Sequence, residues 1–486
     1  MQHSVDEMTI AQLQRALADG TWTSRRLTIA YMERIAEVDR SGATPLNAVL
    51  ELNPDALYIA ERMDQERAIG RVRGPLHGIP ILLKDNISTA DKLHTSAGSL
   101  ALANSYAPSD AHLANLLREA GAVILGKANM TEFANFMTSG MPNGYSSRGG
   151  QVLNPYGPGR FPPGGSSSGS AVAVAASLCA VAVGTETSGS ILNPAHRNAL
   201  VGIKPTLGLI SRSGIVPISY TQDTAGPLAR TVEDAAILLG AMAGIDEDDE
   251  TTLLQPERIR QIQDYTRFLD AEGLNGARIG INRGYIGDFS GEEQGLIESA
   301  IRQMKEAGAV IVEGTDLPHI AEKSSVLLQE FKSALNRYLF SLGPSAPVKS
   351  LRDIIAFNNE HPQATLKFGQ KTLLQAEYET TGTMTEPAYI RDRLRDWKAS
   401  REEGIDRLFA EHRLDALFCP GVTDSPAVSG YPAVMVPAGF RKDGMPFGVS
   451  FAGPAYSEPM LLRLAYAFEQ KTKARRAPLL MRMISE

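Results

Sequence analysis

Two glycine-serine clusters lie close together in this chain, Gly164-Gly165-Ser166-Ser167-Ser168-Gly169-Ser170 and Thr187-Ser188-Gly189-Ser190, joined by a run of small apolar residues. A serine hydroxyl is almost wholly protonated at neutral pH, so it becomes a nucleophile only if a neighbour accepts its proton as it attacks. Two serine-bearing turns could supply both an attacking group and a neighbour, provided that the chain also contributes a base. Eight histidines are present, His3, His77, His94, His112, His196, His319, His361 and His412, and none falls in a metal-ligand or H-E-x-x-H spacing. Gly165-Ser166-Ser167-Ser168-Gly169 formally satisfies G-x-S-x-G, which would make Ser167 the nucleophile of a strand-turn-helix elbow. The residues before it, Arg160-Phe161-Pro162-Pro163, do not make the central strand that such an elbow needs. Gly121 to Lys127 has the G-x4-G-K spacing of a phosphate loop, but Ala-Val-Ile-Leu between the glycines forms strand, and Ala128 stands where Ser or Thr would hold magnesium.

The surrounding pattern is that of an α/β protein. Helices are expected from Met8 to about Val38, the first ending at Gly20 and the second capped by Ser24. Gly78 to Asn86 reads as a short apolar strand that breaks at Lys84, which on this pattern alone is an ordinary solvated lysine at a strand end. Ser109 or Asp110 is placed to cap a helix through Leu117, with strand Ala122 to Leu125 after it. Met137 to Pro163 is a long loop leading into the first cluster, and loops of that length inside a compact domain tend to be functional. Helix is predicted over Ser170 to Leu178, strand over Ala180 to Val183 and turn over Gly184 to Ser190. Thr231 starts another helix, and the acidic run Asp246 to Glu250 reads as a solvated linker. A second α/β unit covers 277–312, a mainly helical region about 320–408, and the last strands and the helix Glu458 to Thr472 close the chain. Aromatics spread along the helical region, among them Phe331, Tyr338, Phe340 and Trp397, are core residues by their helical spacing. Strands and helices interleave to both ends, so the fold expected is one large α/β domain with a central, twisted, mostly mixed β-sheet covered on both faces by helices. Residues 1–60 would be helices packed on the core and 61–486 the main domain.

At 486 residues and 43% hydrophobic the chain can bury a large core. A net charge of −7 with no basic cluster argues against nucleic acid as a ligand. Cys179 and Cys419 are far apart in apolar segments, which fits a reducing compartment better than a disulfide framework. The acidic amphipathic N-terminus lacks the order of a secretory signal. No uncharged apolar stretch reaches the roughly eighteen residues of a membrane span. The expectation is a soluble, cytoplasmic protein without cofactor or metal.

Lys84 and the two serine clusters remain, and here the chain resembles the amidase signature family. The likeness rests on Gly164 to Ser170, on Gly184-Thr-Glu-Thr-Ser-Gly-Ser190, on the lysine segment Gly78 to Asn86, and on Val201-Gly-Ile-Lys-Pro-Thr, Gln222-Asp-Thr-Ala-Gly-Pro and Gly430-Tyr-Pro-Ala-Val-Met-Val-Pro-Ala-Gly439. It covers nearly the whole chain. It implies a catalytic set of Ser190 as nucleophile, Ser166 as bridging serine after a cis peptide bond, and Lys84 as general base. It also implies an oxyanion hole from the backbone N–H groups of Thr187, Ser188, Gly189 and Ser190. Position 188 is serine where many members carry Asp or Gly, and position 168 is serine where Gly is frequent. Ile-Leu-Asn-Pro-Ala-His-Arg after Ser190 differs from the arginine-bearing form of the glutamyl-tRNA amidotransferase A subunit and is closer to stand-alone bacterial amidases and peptide amidases. The implied activity is metal-free hydrolysis of a small-molecule or peptide carboxamide through an acyl-enzyme, with region 320–408 shaping the pocket. An amidotransferase subunit and a catalytically silent scaffold stay open as alternatives.

Overall fold

In the computed structural model, which describes residues 4–479 apart from 43, 319 and 321–323, the strands in chain order are β1 (Val49–Leu52), β2 (Pro80–Lys84), β3 (Val123–Ala128), the two-residue pair β4 (Tyr145–Ser146) and β5 (Gly150–Gln151), β6 (Val181–Glu186), β7 (Val201–Lys204), β8 (Thr224–Ala229), β9 (Arg278–Ile281), β10 (Val310–Val312), β11 (Ala416–Pro420), β12 (Ala433–Phe440) and β13 (Pro446–Ala452). Two of the histidines, His3 and His319, lie outside the described residues. Eleven of the strands form one sheet in the order β1-β3-β2-β6-β8-β7-β12-β13-β11-β9-β10. It is mixed: β2 is parallel to both β3 and β6, β8 runs antiparallel to β6 and β7, and β11, β9 and β10 are parallel again. Helices flank it, so the α/β class with a large mixed sheet holds.

The segments that position the site follow from their residues. β2 and β6 are buried at every position, and such doubly covered parallel strands read as unbroken apolar runs rather than as alternation. The helix Ser168–Ala175 is built of Ser, Gly, Ala and Val and is buried throughout. Its small side chains let its backbone close on the sheet. A Cβ on Gly169 would stand 2.3 Å from the Asn129 carbonyl oxygen and 2.4 Å from that of Ala48, so only glycine fits. The N-terminal helices Ile10–Ala18 and Ser24–Arg34 contribute Ile10, Leu13, Leu27 and Tyr31 to the main core.

Several local expectations differ in detail. The cap of the second helix is Thr23, whose hydroxyl accepts from the Arg26 N–H, and Ser24 instead donates from Oγ to the Gly78 carbonyl at 2.8 Å. The helix His112–Glu119 has no side-chain cap, because Asp110 is occupied by the Ala90 N–H and by Arg118. β6 runs to Glu186, so the turn before Ser190 begins at Thr187. The acidic run is no free linker. Asp246 and Asp249 are buried, and Asp249 grips the Arg212 guanidinium at 2.6 and 2.8 Å. In the helical region Phe331 and Tyr338 are buried but Phe340 is exposed.

Candidate active site

β2 and β6 lie side by side and parallel, with Leu83 paired to Val183, so Lys84 and Thr185 emerge together at the carboxyl ends of adjacent strands. That edge is where open α/β sheets place ligands. Lys84 is fully buried. Its Nζ donates to Ser166 Oγ at 2.7 Å, to Thr185 Oγ1 at 2.8 Å and to the Thr185 carbonyl at 3.1 Å. Burial disfavours the ammonium and lowers its pKa to about 7, against the opposing pull of Glu186 and Asp223. Near neutral pH, therefore, the amine is neutral in a large fraction of molecules and can accept a proton.

Ser166 is delivered from the opposite side, just before the helix Ser168–Ala175. The Gly165–Ser166 peptide bond is cis, and the Ser166 carbonyl is fixed by the Thr131 N–H at 3.0 Å. The three following serines are occupied with backbone. Ser167 Oγ donates to the Thr185 carbonyl at 3.0 Å, Ser168 Oγ to Gly164 at 2.6 Å and Ser170 Oγ to Val183 at 3.1 Å. The bonds of Ser167 and Ser170 stitch the first cluster to β6, that of Ser168 closes the cluster on itself, and Ser166 faces Lys84.

Ser190 stands at the end of the turn after β6, and the Ser167 N–H donates to its carbonyl at 3.2 Å. The two serine clusters are thus in direct contact through the backbone. Among the described residues Ser190 Oγ has no hydrogen-bond partner and no side-chain link to Ser166; the residue is 7% exposed. Gly189, at φ +73°, makes the reversal that a side chain would strain. Glu186 holds the turn from below: its Oε2 accepts from the Ile191 N–H at 2.7 Å and the Leu192 N–H at 3.0 Å. Burial raises the Glu186 carboxyl, while Lys204 and the N–H groups of Leu192, Ile191 and Gly189 pull it down. Thr187 is fixed by its hydroxyl to Asp223 Oδ1 at 2.6 Å, and Ser188 Oγ reaches Asp424 Oδ1 at 2.8 Å. Asp223 also accepts from the N–H groups of Ile218 and Ser219, at 2.7 and 2.8 Å, and burial pushes its pKa up to about 6.

A cavity of about 690 Å³ adjoins the turn. Asn86, Thr185, Glu186, Thr187 and Asp223 line it on the sheet side, and Ala334, Arg337, Tyr338 and Ser341 of the helix Val326–Ser341 line it on the other; Ser166 and Ser190 are not among its walls. The G-x4-G-K segment takes no part in the site. Lys127 is inside β3, where its amine donates to the Ile87 carbonyl at 2.5 Å and to Thr95 Oγ1 at 2.9 Å, so no phosphate cradle exists there.

Sequence reasoning missed Thr185, Glu186 and Asn86. Glu186 left a trace, a carboxylate ending an otherwise apolar strand just ahead of a glycine turn, but Thr185 and Asn86 carry no pattern that separates them from loop residues.

A glycine-serine core with a buried lysine on this sheet has counterparts among known proteins. A family model described as Amidase matches residues 26–429. The chain belongs to that family, the amidase signature enzymes, and is an amide-hydrolysing enzyme. Among its relatives is a probable amidase of Arabidopsis thaliana, 42% identical over 489 residues that cover 98% of this chain and 92% of that protein. The crystal structure of native peptide amidase from Stenotrophomonas maltophilia superposes with a TM-score of 0.92 at 48% identity, covering 97% of this chain and 98% of that one. More distant is the A subunit of the glutamyl-tRNA(Gln) amidotransferase of Pseudomonas syringae, 34% identical over 96% of this chain and 98% of that protein. No described helix is long and apolar enough to cross a membrane.

Proposed function

We propose that the protein hydrolyses a carboxamide through a Ser190–Ser166–Lys84 relay and an acyl-enzyme. The observation that carries this reading is the 2.7 Å contact between Ser166 Oγ and a fully buried Lys84 amine held near a pKa of about 7. Neutral Lys84 takes the Ser166 proton as Ser166 takes that of Ser190, and Ser190 Oγ attacks the carbonyl carbon. The oxyanion so formed is met by backbone N–H groups of the turn Thr187, Ser188, Gly189 and Ser190; that of Gly189 is given to the Glu186 carboxylate, which leaves those of Thr187, Ser188 and Ser190 for the oxyanion. The C–N bond then breaks, the proton passes back along the relay to the leaving nitrogen, and ammonia or an amine departs. Water enters, gives a proton to the same relay and attacks the ester, releasing the carboxylic acid and restoring Ser190. Ser167, Ser168 and Ser170 serve as framework.

The helix Val326–Ser341 supports a pocket-shaping role for region 320–408, since it supplies four residues of the cavity wall. The likeness to stand-alone amidases and a peptide amidase favours a small-molecule or peptide amide substrate. Two buried free thiols, Cys179 and Cys419, fit a cytoplasmic setting. A second reading, an ammonia-supplying amidotransferase subunit, is favoured by the 34% identity to the Pseudomonas syringae protein. The test is to incubate the isolated chain with a panel of primary amides, without ATP or partner, and to locate a serine-directed phosphonate by mass spectrometry. Ammonia release with label on Ser190 is expected; an inert chain with Ser190 unlabelled overturns the proposal.

A further inference from the structure

Thr187, whose N–H is among those left for the oxyanion, is held on two sides by one segment, 218–223. Its hydroxyl donates to Asp223 Oδ1 at 2.6 Å, and its carbonyl accepts from Gln222 Nε2 at 3.2 Å. The segment closes on itself: Asp223 Oδ2 accepts from the N–H groups of Ile218 and Ser219, and the Asp223 N–H returns to the Ser219 carbonyl at 3.3 Å. Such a loop places Thr187 only as firmly as it is itself fixed.

A carboxylate from a distant part of the chain fixes it. Glu330, in the helix Val326–Ser341, is fully buried. It accepts from Ser219 Oγ at 2.5 Å, from the Thr221 N–H at 3.2 Å and from Thr221 Oγ1 at 3.0 Å. A fourth donor, the Tyr389 hydroxyl at 2.9 Å, comes from the helix Pro387–Ser400. A carboxyl group is buried without heavy cost only where its oxygens find donors, and three of these four belong to 218–223. Arg212 and Ser333 add contacts at Tyr220, to its carbonyl at 2.5 Å and to its hydroxyl at 3.3 Å. Ala334, Arg337, Tyr338 and Ser341 follow Glu330 at helical spacing and line the cavity. One face of this helix thus meets the cavity and, a turn earlier, holds the segment that holds Thr187.

We propose that Glu330 is a positioning residue of the reaction. Through Ser219, Thr221 and Asp223 it sets the place of the Thr187 N–H at the oxyanion, and so ties turnover to the helical region 320–408. The assignment rests on the hydrolytic reading above and adds to it a residue that acts through others.

The test replaces Glu330 by alanine and by glutamine and follows the most rapidly hydrolysed member of a primary-amide panel. Deleting an oxyanion donor lowers kcat by about a hundred- to a thousandfold, and displacing one should lower it less. Glu330→Ala is therefore expected to reduce kcat about ten- to hundredfold, with KM within about twofold. Glutamine keeps the side-chain volume and an acceptor for the Thr221 N–H, so Glu330→Gln should recover most of the rate. Thr187→Val cuts the same chain of bonds at its far end, so Glu330→Ala/Thr187→Val should lose little more kcat than the worse single variant. If Glu330→Ala fails to fold, Ser219→Ala/Thr221→Val removes two of the donors from the other side and carries the same expectations. A rise in KM at unchanged kcat, additive losses in the double variant, a Glu330→Gln protein no faster than Glu330→Ala, or a lower melting temperature with unchanged kinetics would overturn the proposal. Hydrogen exchange of a peptide covering 185–192 reads the coupling without turnover, and it should quicken about tenfold or more in Glu330→Ala. Faster exchange, where the wild-type protein hydrolyses no amide, supports the coupling and sinks only the hydrolytic reading. Unchanged exchange beside an active wild type sinks the coupling and leaves that reading standing.

Discussion

Replacing Thr185 by valine keeps the size of the side chain and deletes one of the three acceptors around the Lys84 amine, the hydroxyl at 2.8 Å. A hydrogen bond to a charged group contributes about 1.5–3 kcal/mol and a neutral one about 0.5–1.5 kcal/mol. Loss of this acceptor therefore penalises the ammonium more than the neutral amine by about 1–1.5 kcal/mol. At 1.36 kcal/mol per pKa unit the Lys84 pKa should fall by about one unit, from about 7 to about 6. The neutral amine is the working form, so activity rises with pH through this pKa, and the variant should reach its plateau about one pH unit earlier. The assay is kcat/KM against pH on a neutral amide that does not itself titrate, a quantity that reports ionisations of the free enzyme. The same deletion strips the Asn86 amide of its 3.0 Å acceptor, so a modest loss of thermal stability should accompany the shift. Thr185→Ser, which restores the hydroxyl, should return the acid limb to about pH 7. An acid limb that stays put or moves upward in Thr185→Val would refute Lys84 as the base.

Other perturbations separate the parts of the site. Ser190→Ala should lower turnover by about six orders of magnitude while leaving the melting temperature almost unchanged, because Ser190 Oγ has no partner to lose among the described residues; a parallel loss of fold would point to a structural serine. Ser166→Ala should leave only trace activity, with Lys84 deprived of its 2.7 Å partner; near-normal rates would remove Ser166 from the relay. Glu186→Ala leaves the buried N–H groups of Ile191 and Leu192 without acceptors, at a cost of about 2–5 kcal/mol in denaturant titration, and should reduce kcat more than KM. Asp223→Asn removes a carboxylate that raises the Lys84 pKa, so the acid limb of the rate profile should move to lower pH; a limb moving upward would contradict that electrostatic assignment.

Lys84 was legible as a lysine ending an apolar strand, but on that pattern alone its burial was not, and only its role as a base, implied by the family resemblance, called for it. Its partner Thr185 is 101 residues away, and only the pairing of β2 with β6 brings the two together. The same error occurred at Asp246 and Asp249, whose burial depends on Ser211 and Arg212 and leaves no mark in a run of acids. β8 was hidden for a local reason. It lies between β6 and β7 and carries Gly226 and Pro227, residues that argue against a central strand. Caps misread at Ser24 and Asp110 show short polar side chains choosing distant backbone groups over the adjacent helix. Apolar periodicity, by contrast, depends only on neighbouring residues. It placed the helix Glu458–Thr472 and the strands around the site to within a few positions.

Lys84 is one of three fully buried lysines among the described residues. Burial also lowers Lys127 and Lys204, each to about 8. In an unfolded chain all three would titrate near 10.4. Between pH 8 and 10 the native protein thus holds these amines largely unprotonated while the unfolded chain holds them protonated, so each of the three takes up a proton on unfolding, against the protons released by Cys179 and Cys419, whose thiols burial pushes up to about 12. In that window each lysine adds up to about 1.4 kcal/mol of stability per pH unit, and below pH 7 both states are protonated and the whole penalty is felt. In acid, these three amines become a load on the fold at the same pH values at which protonation of Lys84 silences the relay.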